Sequence, residues 1–114
     1  MRKIEAVIRK SKFKEVKRGL IEHGFINFNY HLTRSISDSA EKRFYRGVEY
    51  DVKALDRVQL ALYIDNAELE KALDIIRVSG STGNADDNFV HVLSVDNSYQ
   101  LLGTDDQDSF KFIK

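Results

Sequence analysis

Residues 57–64 read RVQLALYI, with apolar side chains at every second position. This alternation is typical of a strand with one buried face, here formed by Val58, Leu60, Leu62 and Ile64. A helical spacing follows at once, because apolar residues recur at positions 69, 73 and 76 and run to Val78. Asp65 and Glu68 lie three positions apart just before this helix and resemble a capping box.

The N-terminal half repeats the same order of elements. Residues 2–9 alternate as a strand does, and Ser11 is the predicted N-cap of a helix that Gly24 ends. A second alternating stretch covers residues 25–33. After the second helix, the nearly continuous apolar run at 89–95 predicts a strand that is buried on both faces.

Two consecutive strand–helix–strand units form the ferredoxin-like double βαβ pattern. We therefore predict an α+β sandwich, in which a four-stranded antiparallel sheet carries two helices on one face. The other face would expose Tyr63 and Phe89 to water, and an apolar patch of this kind marks an interface. Because symmetric association would cover such a face, we expect a closed homo-oligomer.

The amino-acid composition argues against several classes of function. The 114 residues carry 18 Lys and Arg against 18 Asp and Glu, and this zero net charge argues against bulk binding of nucleic acid or anionic membranes. The absence of cysteine excludes disulfides, cysteine-ligated zinc and thiol catalysis. No apolar run has the length of a membrane span, and the N-terminus does not resemble a signal peptide, so we expect a cytoplasmic protein without direct membrane insertion.

The charges are distributed unevenly along the chain. Lysine and arginine crowd the first 18 residues, whereas no lysine or arginine lies between Arg77 and Lys111. Solvated faces explain most distributions of this kind, and attraction to a partner or between subunits is the second interpretation.

Periodicity is lost over residues 34–56, which are rich in serine and charged side chains. A segment of this length without periodicity is long for a compact domain and indicates a functional or mobile loop. Near its end stands the hexapeptide YRGVEY, residues 45–50.

The hexapeptide, the opening MRKIEAVIR and the helix KEVKRGLIEHG together resemble the PII signal-transduction family. The matching family stretches read close to YRGAEY, MKKIEAIIR and a helix that ends in Leu-x-x-x-Gly. The resemblance covers all of the chain except its tail. It divides the chain into a ferredoxin-fold domain over 1–102, with the family's T-loop at about 34–56, and an acidic C-terminal tail over 103–114.

The resemblance implies a non-enzymatic homotrimeric regulator, with no catalytic residues, that controls a protein target, either a transporter in the membrane or an enzyme. Its T-loop would contact that target, and Tyr50 matches the tyrosine that many family members carry modified. Family members bind ATP or ADP between subunits, and some also bind 2-oxoglutarate. The partner-binding residues carried over by this resemblance are Tyr45, Arg46, Gly47, Glu49 and Tyr50.

The ligand-binding motifs depart from the family pattern. The family's phosphate loop, Thr-Gly-x-x-Gly-Asp-Gly-Lys, is matched at Thr82, Gly83 and Asp87, but Asn88 and Phe89 replace its last glycine and lysine. Losing backbone access and a cation disfavours a triphosphate. We expect no certain cofactor, weak ATP binding and a preference for ADP or AMP, with nucleotide-binding candidates Arg34, Arg57, Thr82, Gly83 and Asp87.

Some interpretations stay open at this stage. Arg57 matches the family lysine that grips the 2-oxoacid, but it also fits an exposed strand-edge charge. No pair of histidines has the spacing of metal ligands, so we predict no metal site. Two rival functions share the topology: a single-stranded RNA-binding module, for which the basic-glycine-aromatic run is missing, and a small acyl-phosphate hydrolase, for which the loop at residues 9–12 lacks glycine.

Overall fold

The computed structural model describes residues 1–36, 43–45, 48–50, 55–83, 88–101 and 110–112. Two helices and eight strands lie in these ranges, together with a 3₁₀ turn at Asn66–Glu68. The helices are α1 (Lys10–Glu22) and α2 (Leu69–Gly80). The strands are β1 (Arg2–Arg9), β2 (Phe28–Ser35), β3 (Arg43–Tyr45), β4 (Val48–Tyr50), β5 (Leu55–Ile64), β6 (Phe89–Ser94), β7 (Tyr99–Leu101) and β8 (Phe110–Phe112).

The main sheet has the order β2-β5-β1-β6, and all of its neighbouring strands are antiparallel. Ile4 of β1 lies between Leu62 of β5 and Val92 of β6. Since side chains alternate between the two faces of a strand, this register puts the apolar positions of the central strands on one face. The α+β ferredoxin-like fold predicted from the sequence is confirmed.

The hydrophobic core lies between that face and the two helices. Side chains from β1, β5, α1 and α2 meet there with almost no exposure, which accounts for the strict alternation in residues 57–64. The residues buried from these four elements are Ile4, Ala6, Ile8, Val16, Leu20, Val58, Leu60, Leu62, Ile64, Ala72 and Ile76.

Glycines set two features of the helical layer. A Cβ on Gly19 would lie 3.0 Å from Ile75 Cγ2, so this glycine permits the close approach of α1 to α2. Gly24 has a φ of 88° and follows the end of α1, which confirms the predicted stop.

The predicted helix starts were wrong in detail. The N-cap of α1 is Arg9, without a side-chain hydrogen bond, and Ser11 lies within the first turn. Asp65 makes no side-chain cap bond either; its carbonyl accepts the Glu68 N–H at 3.0 Å in the 3₁₀ turn that leads into α2. The second helix also continues past Val78 to Gly80.

The prediction that the strand at 89–95 is buried on both faces was wrong. β6 is an edge strand, and every one of its residues is exposed in the subunit. Its apolar composition therefore does not serve the core of this single chain. As predicted, the sheet face without helices exposes Tyr63 and Phe89, and Leu93 joins them.

Two separate two-stranded antiparallel sheets accompany the main sheet, one formed by β3 with β4 and the other by β7 with β8. The predicted short strand at 99–102 is present as β7. The sequence did not predict its partner, because β8 lies within the stretch interpreted as an acidic tail. Residues 102–109 lie outside the described part of the chain, and the domain boundary at 102 stays a prediction.

Candidate functional site

The segment that the resemblance assigns to the T-loop connects the paired ends of β2 and β5. The ladder reaches Ser35 opposite Leu55, so Arg34 and Asp56 are strand residues. The Arg34 Nε lies 3.3 Å from the Asp56 Oδ1, and both side chains are largely exposed, which limits the contribution of this ion pair. The segment that connects the strands is therefore slightly shorter than the predicted range of 34–56.

YRGVEY lies in a hairpin. Tyr45 of β3 pairs with Val48 of β4, Phe44 pairs with Glu49, and Arg43 pairs with Tyr50. Arg46 and Gly47, which connect the two strands, lie outside the described residues. The sequence contained a signal for this hairpin, since aromatic and β-branched residues flank an Arg-Gly dipeptide, but the polar surroundings obscured it.

A cationic pocket of about 390 Å³ opens at the foot of this segment, where β2 ends and β5 and α1 begin. Arg34 and Arg57, two of the nucleotide candidates, line it together with Lys10 and Asp56. Sequence reasoning missed Lys10. Three cations against one carboxylate make the pocket suited to an anion.

Arg57 is only 2% exposed, although it is charged. The alternative interpretation of Arg57 as an exposed strand-edge charge does not fit this burial.

Two other nucleotide candidates, Thr82 and Gly83, do not line this pocket in the subunit. Both follow the end of α2. Asp87 lies outside the described residues. Among the candidates within the described residues, Arg34 and Arg57 line this pocket.

Asn88 has a structural role that the sequence comparison with the family loop did not reveal. Its Nδ2 donates to the Gly80 carbonyl at 2.8 Å, and its Oδ1 accepts the Arg9 N–H at 3.1 Å. The side chain thus joins the end of α2 to the end of β1. A glycine at this position, as in the family pattern, lacks both groups.

Replacing Asn88 by alanine is expected to lower the free energy of unfolding by about 1–3 kcal/mol, because the Arg9 N–H and the Gly80 carbonyl lose their partner. Urea unfolding at one fixed protein concentration measures the loss. Asn97→Ala is the control, since Asn97 is exposed, and it should change stability by less than about 0.5 kcal/mol. Equal effects of the two substitutions would contradict the bridging role.

An ion pair stands on the sheet face that the helices leave open. The Lys3 Nζ lies 2.8 Å from the Glu5 Oε1 and 5.6 Å from the centre of the Tyr63 ring. The hydrogen bond from Lys3 lowers the pKa of Glu5, and the same bond raises the pKa of Lys3. Each ion therefore stabilises the other in the folded chain.

We expect Glu5→Gln to weaken the acid dependence of stability. Since the pKa of Glu5 is lowered on folding, its contribution is present above the ordinary carboxyl pKa and is lost as the pH falls through the lowered value. The variant should show a smaller drop in the urea midpoint across this acidic range. Glu70→Gln, at an exposed position of α2, is the control and should follow the unmodified protein. An unchanged pH profile in Glu5→Gln would contradict the pairing.

The described part of the chain contains no cluster of three or more potential metal ligands among His, Cys, Asp and Glu. The ring of His23 instead lies at the end of α1, where its Nδ1 is 2.7 Å from the Gly19 carbonyl oxygen. Within the same ranges, neither helix is long and apolar enough to span a membrane.

The curated proteins that this chain resembles share one description, nitrogen regulatory protein P-II. No family model matches the chain. A nitrogen regulatory protein P-II from Rhodospirillum rubrum is 30% identical over 102 residues, which cover 89% of this chain and 91% of the relative. Nitrogen regulatory protein P-II 1 from Methanothermobacter thermautotrophicus is 32% identical over 96 residues, 83% of this chain and 84% of the relative. A Synechocystis relative of the same name is 28% identical over 102 residues, 89% of this chain and 91% of the relative.

Proposed function

The chain belongs to the nitrogen regulatory protein P-II family, and from this premise we propose that it is a non-enzymatic homotrimeric regulator that controls a partner protein through residues 34–56. The partner is a transporter in the membrane or an enzyme, the regulator itself is cytoplasmic, and the signal is nitrogen status, as the name of its relatives suggests. The observation that carries the proposal is the hairpin of β3 and β4, which holds the YRGVEY residues.

The paired strands beneath the hairpin support this role. β2 and β5 continue the main sheet up to Ser35 and Leu55, so a stable ladder supports the base of the segment. Within the segment, Tyr45, Arg46, Gly47, Glu49 and Tyr50 are the proposed partner contacts. Tyrosine and arginine are the side chains most enriched at binding hot spots, which agrees with this assignment. Tyr50 is also the proposed site of modification.

The open sheet face supports the trimer. Tyr63, Phe89 and Leu93 are exposed there in the subunit, and association of copies would remove their apolar surface from water. The same association would cover the exposed apolar side chains of the edge strand β6.

We further propose that the nucleotide site is divergent and weak for ATP. The cationic pocket of Lys10, Arg34 and Arg57 retains attraction for an anion. In the phosphate loop, however, Asn88 uses both of its polar groups to join α2 to β1, and Phe89 supplies no charge. ADP or AMP, which depend on fewer phosphate contacts, are the favoured nucleotides, with Thr82, Gly83 and Asp87 as further contacts.

The family membership favours this function over the two rivals with the same topology. An RNA-binding module needs aromatic side chains on a basic sheet face. The exposed strand β6 offers Phe89, but the strand itself has no lysine or arginine. An acyl-phosphate hydrolase needs an anion-cradling loop directly after β1, where α1 instead begins at Lys10 without an intervening loop.

Photocrosslinking tests the partner-binding role. A benzophenone amino acid at position 50 is expected to capture a discrete protein from the membrane or soluble fraction of native cells. The same probe at Val78, an exposed position on α2, is the control and should capture none. The purified target should then change its transport or catalytic rate when the regulator is added. Equal capture from both positions, or no capture at position 50, would overturn the proposal.

A further inference from the structure

One side of α1 carries four exposed cations: Lys10, Lys14, Lys17 and Arg18, which we term the basic flank. Two contacts orient the helix. Gly19 faces α2, where a Cβ would meet Ile75, whereas Phe13 faces β2 and packs against Tyr30 with tilted rings whose centres are 4.5 Å apart. The basic flank therefore lies away from α2, along the side of the subunit.

Helical spacing divides this side into two adjacent rows. Lys10, Lys14 and Arg18 follow one another at intervals of four residues, and Glu22 closes that row. Phe13, Lys17 and Ile21 form the second row, at the same interval, and Ile21 is 45% exposed. The surface is therefore strongly basic with an apolar contact at one end.

The stability of α1 does not explain these charges. The first turn has no acidic residue, although the positive end of the helix dipole favours one there, and the last turn has no basic residue. Cations four residues apart also repel each other, at about 0.2–0.5 kcal/mol per pair. A charge pattern that opposes local stability indicates a function for the charges.

No carboxylate in the described part of the chain lies within 4 Å of the amino groups of Lys10, Lys14 or Lys17. Lys12, on the other side of α1, has Glu15 at 3.7 Å. The three flank lysines thus remain available to a ligand, and Lys10 also lines the pocket of Arg34 and Arg57. Basic side chains therefore continue from the foot of the 34–56 segment along α1, with Asp56 as the carboxylate at the pocket end.

We propose that the basic flank binds an acidic, extended segment of the partner protein, in continuation of the contact made by residues 34–56. This inference rests on the proposed function. Lys10 to Arg18 spans about 12 Å along the helix axis, the length of roughly four residues of extended chain. Carboxylates of such a segment pair with the cations, and an apolar side chain covers Ile21. The zero net charge of the whole chain weakens long-range attraction to nucleic acid or bilayers, which favours a local protein contact.

Fluorescence anisotropy with a defined probe tests the flank. The probe is a labelled synthetic peptide of alternating glutamate and leucine, and Lys14→Glu with Lys17→Glu forms the test variant. At about 0.05 M salt, where charges are weakly screened, the variant is expected to bind at least about tenfold more weakly than the unmodified protein. Lys12→Glu with Lys71→Glu is the matched control, with the same charge change elsewhere, and should stay within about twofold.

A second peptide, with serine in place of leucine, should bind more weakly than the first because Ile21 then has no apolar partner. Failure of the glutamate–leucine peptide to bind, or equal losses in the two double variants, would overturn the proposal. Tighter binding of phosphatidylglycerol vesicles or of single-stranded RNA, lost in the same test variant, would overturn it in favour of those ligands. Because the peptide assay does not involve position 50, its failure and that of the crosslinking experiment are distinguishable.

Discussion

Light scattering of the purified protein will give three times the 13.1 kDa of a single chain, and Leu93→Asp will reduce it to a single chain at micromolar concentration. Leu93 is 42% exposed on the open face of the subunit, so an aspartate is compatible with the folded chain. In the trimer, the same carboxylate would lose its contact with water at a cost of several kcal/mol in each copy, and Lys3, which lies opposite but is already paired with Glu5, offsets only part of this cost. At about 1.4 kcal/mol for each tenfold change, association should weaken by more than about 100-fold.

Val78→Asp is the matched control for this prediction. Val78 is 68% exposed on α2, on the helical side of the sheet, and the substitution introduces the same charge. It should leave the trimer intact. A stable monomer in the unmodified protein would contradict the proposed assembly directly, and a trimer that persists in Leu93→Asp would place the interface elsewhere.

Calorimetry is expected to show ATP binding with a millimolar or weaker dissociation constant and no response to 2-oxoglutarate. By resemblance to the family, three cationic phosphate contacts are replaced by Phe89, Gln100 and Leu102, and each such contact is worth about 1.5–3 kcal/mol. Losing even two of them costs on the order of 3–6 kcal/mol, or about 100-fold to 10,000-fold in affinity. ADP and AMP should lose less than ATP.

A variant that restores one cation tests whether the missing cations cause the weak ATP binding. Gln100→Arg should tighten ATP binding by about tenfold or more, since it returns a charged donor to one of the lost phosphate contacts. Val78→Lys adds the same charge at an exposed site on α2 and should leave the affinity unchanged. An ATP dissociation constant below about 10 µM in the unmodified protein, strengthened by magnesium and 2-oxoglutarate, would show that Lys10, Arg34 and Arg57 compensate for the missing cations.

Alternation and helical spacing were sufficient to predict the main sheet and both helices. In residues 57–64 every second side chain enters the core, and this burial imposes the period of two that the sequence displays. The end of α1 at Gly24 was also predictable, because a left-handed backbone conformation favours glycine. These signals are local, so a single sequence contains them.

The helix starts and the position of β6 depend on tertiary contacts. Ser11 has the chemistry of an N-cap, but β1 runs directly into α1 and places the cap two residues earlier, at Arg9. The apolar run of β6 predicted a doubly buried strand, yet apolar residues also serve surfaces that other chains cover. Composition alone does not distinguish these two kinds of burial.

The candidate site was predictable only in part. Arg57 was predicted from the family resemblance and Arg34 as a cation that could compensate for the missing ones, and both line one pocket where β2 ends and β5 begins. Lys10 was missed because its position at the start of α1 becomes relevant only when the ends of β1 and β2 lie beside the start of β5. The bridging role of Asn88 also depends on two backbone groups that are distant in sequence, those of Arg9 and Gly80.

The two edges of the main sheet have a consequence for biosynthesis. β2 and β6 both end the sheet, so a newly made subunit presents unpaired backbone donors and acceptors along two strands beside exposed apolar side chains. Such edges are templates for incorrect pairing between chains. The chain contains no proline that would block them. Correct assembly must therefore be faster than aggregation, and slow synthesis at low chain concentration should improve the soluble yield.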